Sequence, residues 1–87
     1  MEYYVKSVVP IIESNYDKFT PVEKQIANFF IHNQKKMDFS IKHISELLFT
    51  SKATLVRFAQ KCGYHGYKEF IYQYEETLIE KPEKITD

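Results

Sequence analysis

The scarcity of turn-forming residues limits the folds open to this chain. Its 87 residues include two glycines and three prolines, and both glycines, Gly63 and Gly66, lie within four positions of each other. Strand-rich folds depend on turn residues placed all along the chain. Apolar residues instead recur at three- and four-residue steps, as at Val5, Val8 and Ile12, which is the period of an amphipathic helix. The sequence therefore predicts an all-α fold.

Length and composition predict one small folded domain. A chain of 87 residues buries roughly 60 to 65% of its unfolded surface in a single core, which leaves no room for a second domain. Apolar residues make up 44% of the chain, and seven Phe with seven Tyr supply large side chains for that core. The single cysteine, Cys62, excludes an internal disulfide and indicates a reducing cytoplasm. Glu2 and Lys6 interrupt any leader-like run, and no apolar stretch approaches the roughly 18 residues of a membrane helix.

Charge is distributed unevenly along this chain, although its net charge is zero. Residues 24–68 hold eight bases and two acids, whereas residues 1–23 and 69–87 are both acidic on balance. No acidic residue at all occurs from Leu47 to Lys68. The overall balance predicts no polyanionic partner, but the basic middle of the chain favours one.

Side chains that can cap helices divide the chain into five predicted helices. Thr20-Pro21-Val22-Glu23 has the form of a capping box with proline at the first helical position. Ser7, Ser40 and Ser51 each precede a periodic apolar segment, as a capping residue does. Gly63 stands where a helix ends in a left-handed residue. The predicted helices span about residues 8–16, 21–32, 41–48, 52–62 and 67–76.

The third and fourth predicted helices have the spacing of a helix-turn-helix, since a three-residue turn separates two short capped helices. In that motif the first helix crosses the DNA backbone and the second enters the major groove. On the fourth helix, Leu55, Phe58, Ala59 and Cys62 share one face and are predicted to point toward the core. The opposite face is short, polar and basic, whereas a helix that is only solvated usually mixes charges of both signs. The pattern predicts a five-helix bundle with a homeodomain-like helix-turn-helix that binds double-stranded DNA.

Two sets of residues on and around the fourth helix are predicted to contact DNA. Arg57 can donate two hydrogen bonds to guanine, Gln60 can form a hydrogen-bonded pair with adenine, and Thr54 can contact a thymine methyl group. Each phosphate that a cation neutralises contributes about −0.9 to the slope of log affinity against log salt. The predicted base-contacting residues are Lys52, Thr54, Arg57 and Gln60. The predicted phosphate-contacting residues are Ser51, Lys42, Lys61 and Lys68.

Metal-binding and catalytic interpretations have less support in the sequence. Cys62 and His65 have ligand spacing, but zinc needs three or four protein ligands, and His32 and His43 are distant in sequence. A core thiol and surface imidazoles are therefore the favoured interpretation. No glycine-rich phosphate loop and no nucleophile paired with a base occurs, so neither an enzyme nor a cofactor is predicted. The tyrosines near the C-terminal end favour core or interface positions over a stacking platform for single strands.

The main alternative is a helical protein-interaction or dimerisation module that does not contact DNA. Tyr3, Tyr4, Val5 and Val9 exceed what a small bundle needs for its core and could form a dimer surface. The two interpretations are compatible, because helix-turn-helix proteins commonly bind as two-fold dimers to half-sites about 34 Å apart. A homodimer is therefore predicted as well.

One further interpretation rests on two long segments, SIKHISELLFTSKATLVRFAQKCGYHGYKEF and, upstream of it, TPVEKQIANFFIHNQKKM. They contain a serine cap followed by Thr54, then Arg57-Phe58, Gly63-Tyr64 and Gly66-Tyr67. In these features the chain resembles the N-terminal helix-turn-helix domain of the RpiR family, bacterial regulators of sugar-phosphate and amino-sugar metabolism. The resemblance covers about residues 9–78 and implies that the DNA-reading helix spans Lys52–Cys62.

The resemblance also implies a longer cytoplasmic regulator and marks where this chain departs from its relatives. Family members usually continue through a linker into a sugar-isomerase-type domain that binds a phosphosugar effector, so residues 1–79 are predicted to be the DNA-binding domain and residues 80–87 the start of that linker. The effector would then act only through a domain absent from this chain. Where the family usually has alanine, glycine and an aliphatic residue, this chain has Ser45, Phe49 and Thr50. A phenylalanine in a left-handed turn costs about 1 kcal/mol.

Overall fold

The computed structural model describes residues 8–33 and 35–80, and side chains as far as residue 78. Within these residues the chain forms five α-helices, one 3-10 turn and no β-strand, which confirms the all-α prediction for this part of the chain. None of these helices is long and apolar enough to cross a membrane. The helices are α1 (Val8–Ser14), α2 (Pro21–His32), α3 (Ile41–Leu47), α4 (Lys52–Lys61) and α5 (Tyr67–Glu80).

Three of the predicted helix caps are made by the side chains that the sequence indicated. The backbone N–H of Glu23 donates to Thr20 Oγ1 over 3.2 Å, and the N–H of Thr20 donates to Glu23 Oε1 over 2.9 Å, which completes the capping box of α2. Ser40 caps α3 and Ser51 caps α4 in the same manner. A cap of this kind stabilises a helix by about 1 kcal/mol. The predicted cap at Ser7 lies outside the described residues.

The ends of α1 and α5 differ from the predicted positions. α1 ends at Ser14 rather than Tyr16, and residues Tyr16–Lys18 form a 3-10 turn. Ser14 Oγ and Asn15 Nδ2 both donate to the carbonyl oxygen of Ile11, so polar side chains compete with the backbone there and stop the helix. α5 continues to Glu80, beyond the predicted end near residue 76, because no glycine or proline interrupts the sequence before Pro82. A residue that precedes a proline disfavours the helical conformation, which limits further extension.

Aromatic side chains from three helices form the centre of the core. Phe30 of α2 lies 6.1 Å from Phe58 of α4 and 4.9 Å from Phe70 of α5, measured between ring centroids. Phe58 and Phe70 are 5.4 Å apart. Val8 and Ile12 of α1 are fully buried against this centre. The position and rotation of α4 are therefore set by packing against α2 and α5 together.

Two buried tyrosines tie the connection between α2 and α3 to α5. The hydroxyl of Tyr67 donates to the carbonyl oxygen of Phe39 over 2.8 Å. The hydroxyl of Tyr74 lies 2.9 Å from the carbonyl oxygens of both Phe30 and Asn33. Burial raises the pKa of both hydroxyls, so they stay protonated donors. These bonds hold the segment that leads into α3 and thereby help to place the pair α3 and α4.

Candidate nucleic-acid interface

The turn between α3 and α4 is closed by backbone hydrogen bonds around a left-handed residue. Thr50 N–H donates to the carbonyl oxygen of Ser45 over 2.9 Å, and Phe49 N–H donates to that of Glu46 over 3.3 Å. This pair of bonds is a Schellman motif, in which the residue after the cap takes the left-handed conformation that favours glycine. That residue is Phe49, with φ of 55°, and its side chain is 96% exposed. The chain therefore makes this tight turn with a phenylalanine at a position that favours glycine.

Ser45 fits the position where the family usually has alanine. It is buried on the inner side of α3, and its Oγ donates to the carbonyl oxygen of Lys42 over 2.9 Å. The hydroxyl is thus satisfied locally and does not need a partner from another helix. Ser45 is therefore accommodated on the inner side of α3.

The two faces of α4 are separated as the sequence predicts. Leu55, Phe58 and Ala59 have no exposed surface, and Cys62, just beyond the helix, is 6% exposed. Burial raises the pKa of the Cys62 thiol to about 12, with a further contribution from the charge of Glu23, so this sulfur stays a neutral core group. Among the described residues, no group of three His, Cys, Asp or Glu side chains comes together as a metal site would require.

The exposed face of α4 carries a short chain of hydrogen bonds. Ser51 Oγ and Thr54 Oγ1 lie 2.8 Å apart, and Arg57 Nη2 donates to Thr54 Oγ1 over 3.3 Å. Thr54 is thus hydrogen-bonded on both sides, by Ser51 and Arg57. Within the described residues, the other guanidinium donors of Arg57 have no partner. Preorganisation of this kind lowers the entropy lost when a side chain binds a ligand.

The other two predicted base-contacting residues flank this chain of hydrogen bonds. Lys52 is exposed at the first position of α4. Gln60 is exposed near the last turn, where its Nε2 donates to the carbonyl oxygen of His65 over 3.2 Å. Its amide oxygen accepts no hydrogen bond from the described residues, so Gln60 keeps an acceptor available while its donor holds the loop before α5. The structure thus places all four predicted base-contacting residues on one helix, although Thr54 is only partly exposed.

Three of the predicted phosphate-contacting residues are exposed on separate elements. Lys42 is on α3, Ser51 precedes α4, and Lys68 is on α5. Ser51 Oγ already accepts the N–H of Thr54 as the helix cap. Glu69, the nearest acidic residue in sequence to Lys68, is engaged by His65, whose backbone N–H donates to Glu69 Oε1 over 2.7 Å. Hydrogen bonds from the His65 backbone and side chain lower the pKa of this carboxyl.

The fourth predicted phosphate-contacting residue, Lys61, forms an ion pair with Glu23 of the same chain. Its Nζ lies 2.7 Å from Glu23 Oε1 and 3.4 Å from the carbonyl oxygen of Lys18. The side chain of Glu23 is 4% exposed, whereas that of Lys61 is 37% exposed. Burial alone would raise the pKa of Glu23, but hydrogen bonds from Lys61 and Thr20 outweigh it and lower the pKa below its usual value. The ion pair joins the end of α4 to the start of α2 and was missed in the sequence, because the two residues are 38 positions apart.

Comparison with known proteins gives two findings. A family model described as helix-turn-helix domain, rpiR family, matches residues 6–81. An uncharacterised HTH-type transcriptional regulator of Caldanaerobacter subterraneus subsp. tengcongensis is 25% identical over 79 residues, which cover 90% of this chain and 28% of that protein. The chain therefore spans less than a third of the length of this curated relative.

Proposed function

This chain belongs to the rpiR family of helix-turn-helix domains and is a DNA-binding domain of a transcription regulator; we propose that it reads sequence by placing α4 in the major groove. The observation that carries this proposal is the division of α4 into two faces. Its apolar face is buried in the core, and its exposed face carries polar and basic side chains and no acidic residue. A major groove about 12 Å wide accepts such a helix.

Base recognition is assigned to the exposed side chains of α4. Arg57 has enough donors to reach guanine N7 and O6 while Thr54 holds one of its nitrogens. Gln60 offers a free amide oxygen to the exocyclic amine of adenine, and reaching adenine N7 as well would release the carbonyl of His65. Lys52 and Thr54 complete the set, with Thr54 contacting a thymine methyl.

Phosphate recognition is assigned to residues that surround α4. Lys42 and Lys68 lie on the neighbouring helices α3 and α5, and Ser51 adds its hydroxyl and the free N–H groups of the helix start. Lys61 is the remaining candidate, but a phosphate would have to compete with the carboxylate of Glu23 for its ammonium. We therefore expect Lys61 to contribute less to the salt dependence of binding than Lys42 does.

The proposal also names a class of regulated genes and an effector. The family resemblance supports a cytoplasmic bacterial regulator of sugar-phosphate or amino-sugar genes that acts as a homodimer and responds to a phosphosugar through a separate domain. Sequencing the genomic fragments that the chain retains would test this assignment. Fragments next to genes for sugar-phosphate enzymes would support it, and fragments without such neighbours would contradict it.

Arg57→Ala is the variant that tests base recognition. On a duplex chosen by selection from a random pool, we expect it to lose roughly 5- to 150-fold in affinity, because one bidentate base contact contributes about 1 to 3 kcal/mol of discrimination. On mixed-sequence duplexes the loss should be much smaller. Fluorescence anisotropy with labelled duplexes over a series of salt concentrations measures both.

Lys35→Ala is the matched control, since it removes one exposed positive charge from the connection between α2 and α3. It should leave the preference for the selected duplex unchanged. If the parent chain shows no salt-sensitive binding to any duplex at low ionic strength, the proposed function is wrong. If Lys35→Ala loses the preference as strongly as Arg57→Ala, the assignment of Arg57 to base contact is wrong.

The second candidate function, protein interaction or dimerisation, is favoured by one specific observation. Tyr72 of α5 is 62% exposed beside an apolar groove. Of the residues that the sequence suggested for a dimer surface, Val9 is partly buried against the core, and Tyr3, Tyr4 and Val5 lie outside the described residues. In the described part of the chain, this candidate function therefore rests on the groove beside Tyr72.

A further inference from the structure

An open groove of about 890 Å³ runs along the outer side of α5. Its other walls are the connection before α3, the start of α3 and Val56 of α4. Apart from Tyr72, the apolar side chains that line it are buried or partly buried. The apolar residues that line it are Met37, Phe39, Ile41, Val56, Tyr67, Ile71 and Tyr72.

Charged residues stand at the two ends of this groove along α5. Lys68 and Glu75 both line it and are separated by seven positions, which is two helical turns or about 10 Å. Ile71 and Tyr72 lie between them on the same face, because residues three, four and seven positions apart follow one side of a helix. Asp38 also lines the groove, on the opposite wall. Along α5 itself, the face is basic at one end, apolar in the middle and acidic at the other end.

A charge pattern of this kind is complementary to itself under a two-fold rotation. The midpoint between positions 68 and 75 falls between Ile71 and Tyr72. If a two-fold axis passes through that point, two antiparallel copies of α5 place Lys68 opposite the second copy's Glu75 and Ile71 opposite its Tyr72. A parallel arrangement would instead bring Lys68 against Lys68 and Glu75 against Glu75, which is repulsive.

We propose that two copies of this chain associate through this groove, with their α5 helices antiparallel and Lys68 of each copy paired with Glu75 of the other. This association does not require DNA, so it can fail while the proposed function stands, and the reverse also holds. One helix face and its groove bury less than the roughly 1,600 Å² of a standard interface. The dimer is therefore weak and dissociates in roughly the micromolar to millimolar range.

Exchanging the two charges tests this proposal. Sedimentation equilibrium of the parent chain between about 10 µM and 1 mM should show a monomer–dimer equilibrium. Lys68→Glu and Glu75→Lys should each weaken the dimer about tenfold, because the two-fold axis makes each change act at two contacts. The double variant Lys68→Glu with Glu75→Lys restores both pairs with reversed polarity and should recover the association of the parent.

Two controls separate this contact from other causes. Glu76→Lys makes the same charge change one position away, outside the groove lining, and should leave the dimer unchanged. Tyr72→Ser removes an exposed ring from the centre of the contact and should weaken the dimer, while circular dichroism confirms that the variant is folded. The double variant also distinguishes the two roles assigned to Lys68. It restores the ion pair between copies, so the dimer should recover. It places a carboxylate at position 68, where a DNA phosphate would need a cation, so a phosphate contact there should stay lost.

Three results would overturn the proposal. The first is a parent chain that stays monomeric up to about 1 mM. The second is a double variant that associates no better than the single variants. The third is a loss of association with Glu76→Lys as large as that with Glu75→Lys.

Discussion

Phe49 keeps a backbone conformation that costs free energy, and its side chain contributes almost nothing in return. Its φ is 55°, and 96% of its surface is exposed, so the ring makes few contacts that could offset the strain. Left-handed backbone costs a residue with a Cβ about 1 to 2 kcal/mol. A glycine at this position would keep the Schellman motif and both of its hydrogen bonds.

We therefore expect Phe49→Gly to stabilise the fold by about 0.5 to 1 kcal/mol, since relief of strain exceeds the extra entropy of glycine in the unfolded chain. Thermal unfolding should show an increase of a few degrees in Tm, roughly 2 to 8 °C for a chain of this size. Phe49→Ala is the matched control, because it removes the ring but keeps the Cβ. Equal stabilisation by both variants would show that the exposed ring, and not the backbone, is the source of the cost.

The ion pair of Lys61 and Glu23 is the second feature at this scale. Lys61→Met removes the ammonium but keeps an apolar stem. Of the hydrogen bonds to the Glu23 carboxylate in the described residues, the one from the Thr20 backbone N–H then remains. We expect a loss of about 1 to 2 kcal/mol in unfolding free energy, less than for a fully buried pair, because the Lys61 side chain is 37% exposed. Urea denaturation at neutral pH measures it.

Glu23→Gln with Lys61→Met should cost less unfolding free energy than the sum of the two single changes, since neither charge is left unpaired.

The contribution of this ion pair to stability depends on pH with a definite sign. The folded pKa of Glu23 is lowered from about 4.5, so its contribution is complete above that pH and is lost as the pH falls through the folded pKa. The difference between the parent and Lys61→Met should be constant above about pH 5.5 and shrink below about pH 4.5. A difference that grows on acidification would contradict this assignment.

At the scale of the element, Ser51 serves both the stability of α4 and the surface that α4 offers. Its Oγ accepts the N–H of Thr54 and also contacts Thr54 Oγ1, which in turn accepts a hydrogen bond from Arg57. The start of α4 and the orientation of Arg57 are therefore coupled through one hydroxyl. Stability and DNA affinity can be separated by the choice of capping residue.

We expect Ser51→Ala to cost about 1 kcal/mol of unfolding free energy, whereas Ser51→Asn and Ser51→Asp should stay near the parent, because Asn, Asp and Ser cap about equally well. In an anisotropy titration with duplex DNA, Ser51→Asp should bind most weakly, since it adds a negative charge where a phosphate is expected. Equal affinities of Ser51→Asp and Ser51→Asn would show that no phosphate approaches the start of α4.

At the scale of the whole molecule, a net charge of zero conceals a separation of charge between elements. Exposed bases lie on α3, α4 and the start of α5, and no acidic residue is present from the turn before α4 to Lys68. Acidic residues are concentrated in the first helices and in the second half of α5. This separation leaves α4 without an acidic residue and gives α5 a stripe that is basic at Lys68 and acidic at Glu75.

The helices themselves could be predicted because their determinants are local. Caps at Thr20, Ser40 and Ser51 act on backbone groups three residues away, and the inner face of α4 follows from helical spacing alone. The left-handed conformation of Phe49 was instead suggested by the resemblance to a family that usually has glycine there. The end of α1 was misplaced by two residues because the competition for the Ile11 carbonyl depends on the rotamers of two side chains.

The sequence by itself determined the all-α class, the order of the helices and which face of α4 is buried, since each depends on residues within about one turn of one another. Only the tertiary structure decided that Lys61 pairs with Glu23, that Tyr67 and Tyr74 hold the segment before α3, and that α5 keeps an open apolar groove. The hydrogen bonds among these features join residues 28 to 44 positions apart. Such contacts depend on how helices cross and pack around shared aromatic residues, and no local pattern encodes that geometry.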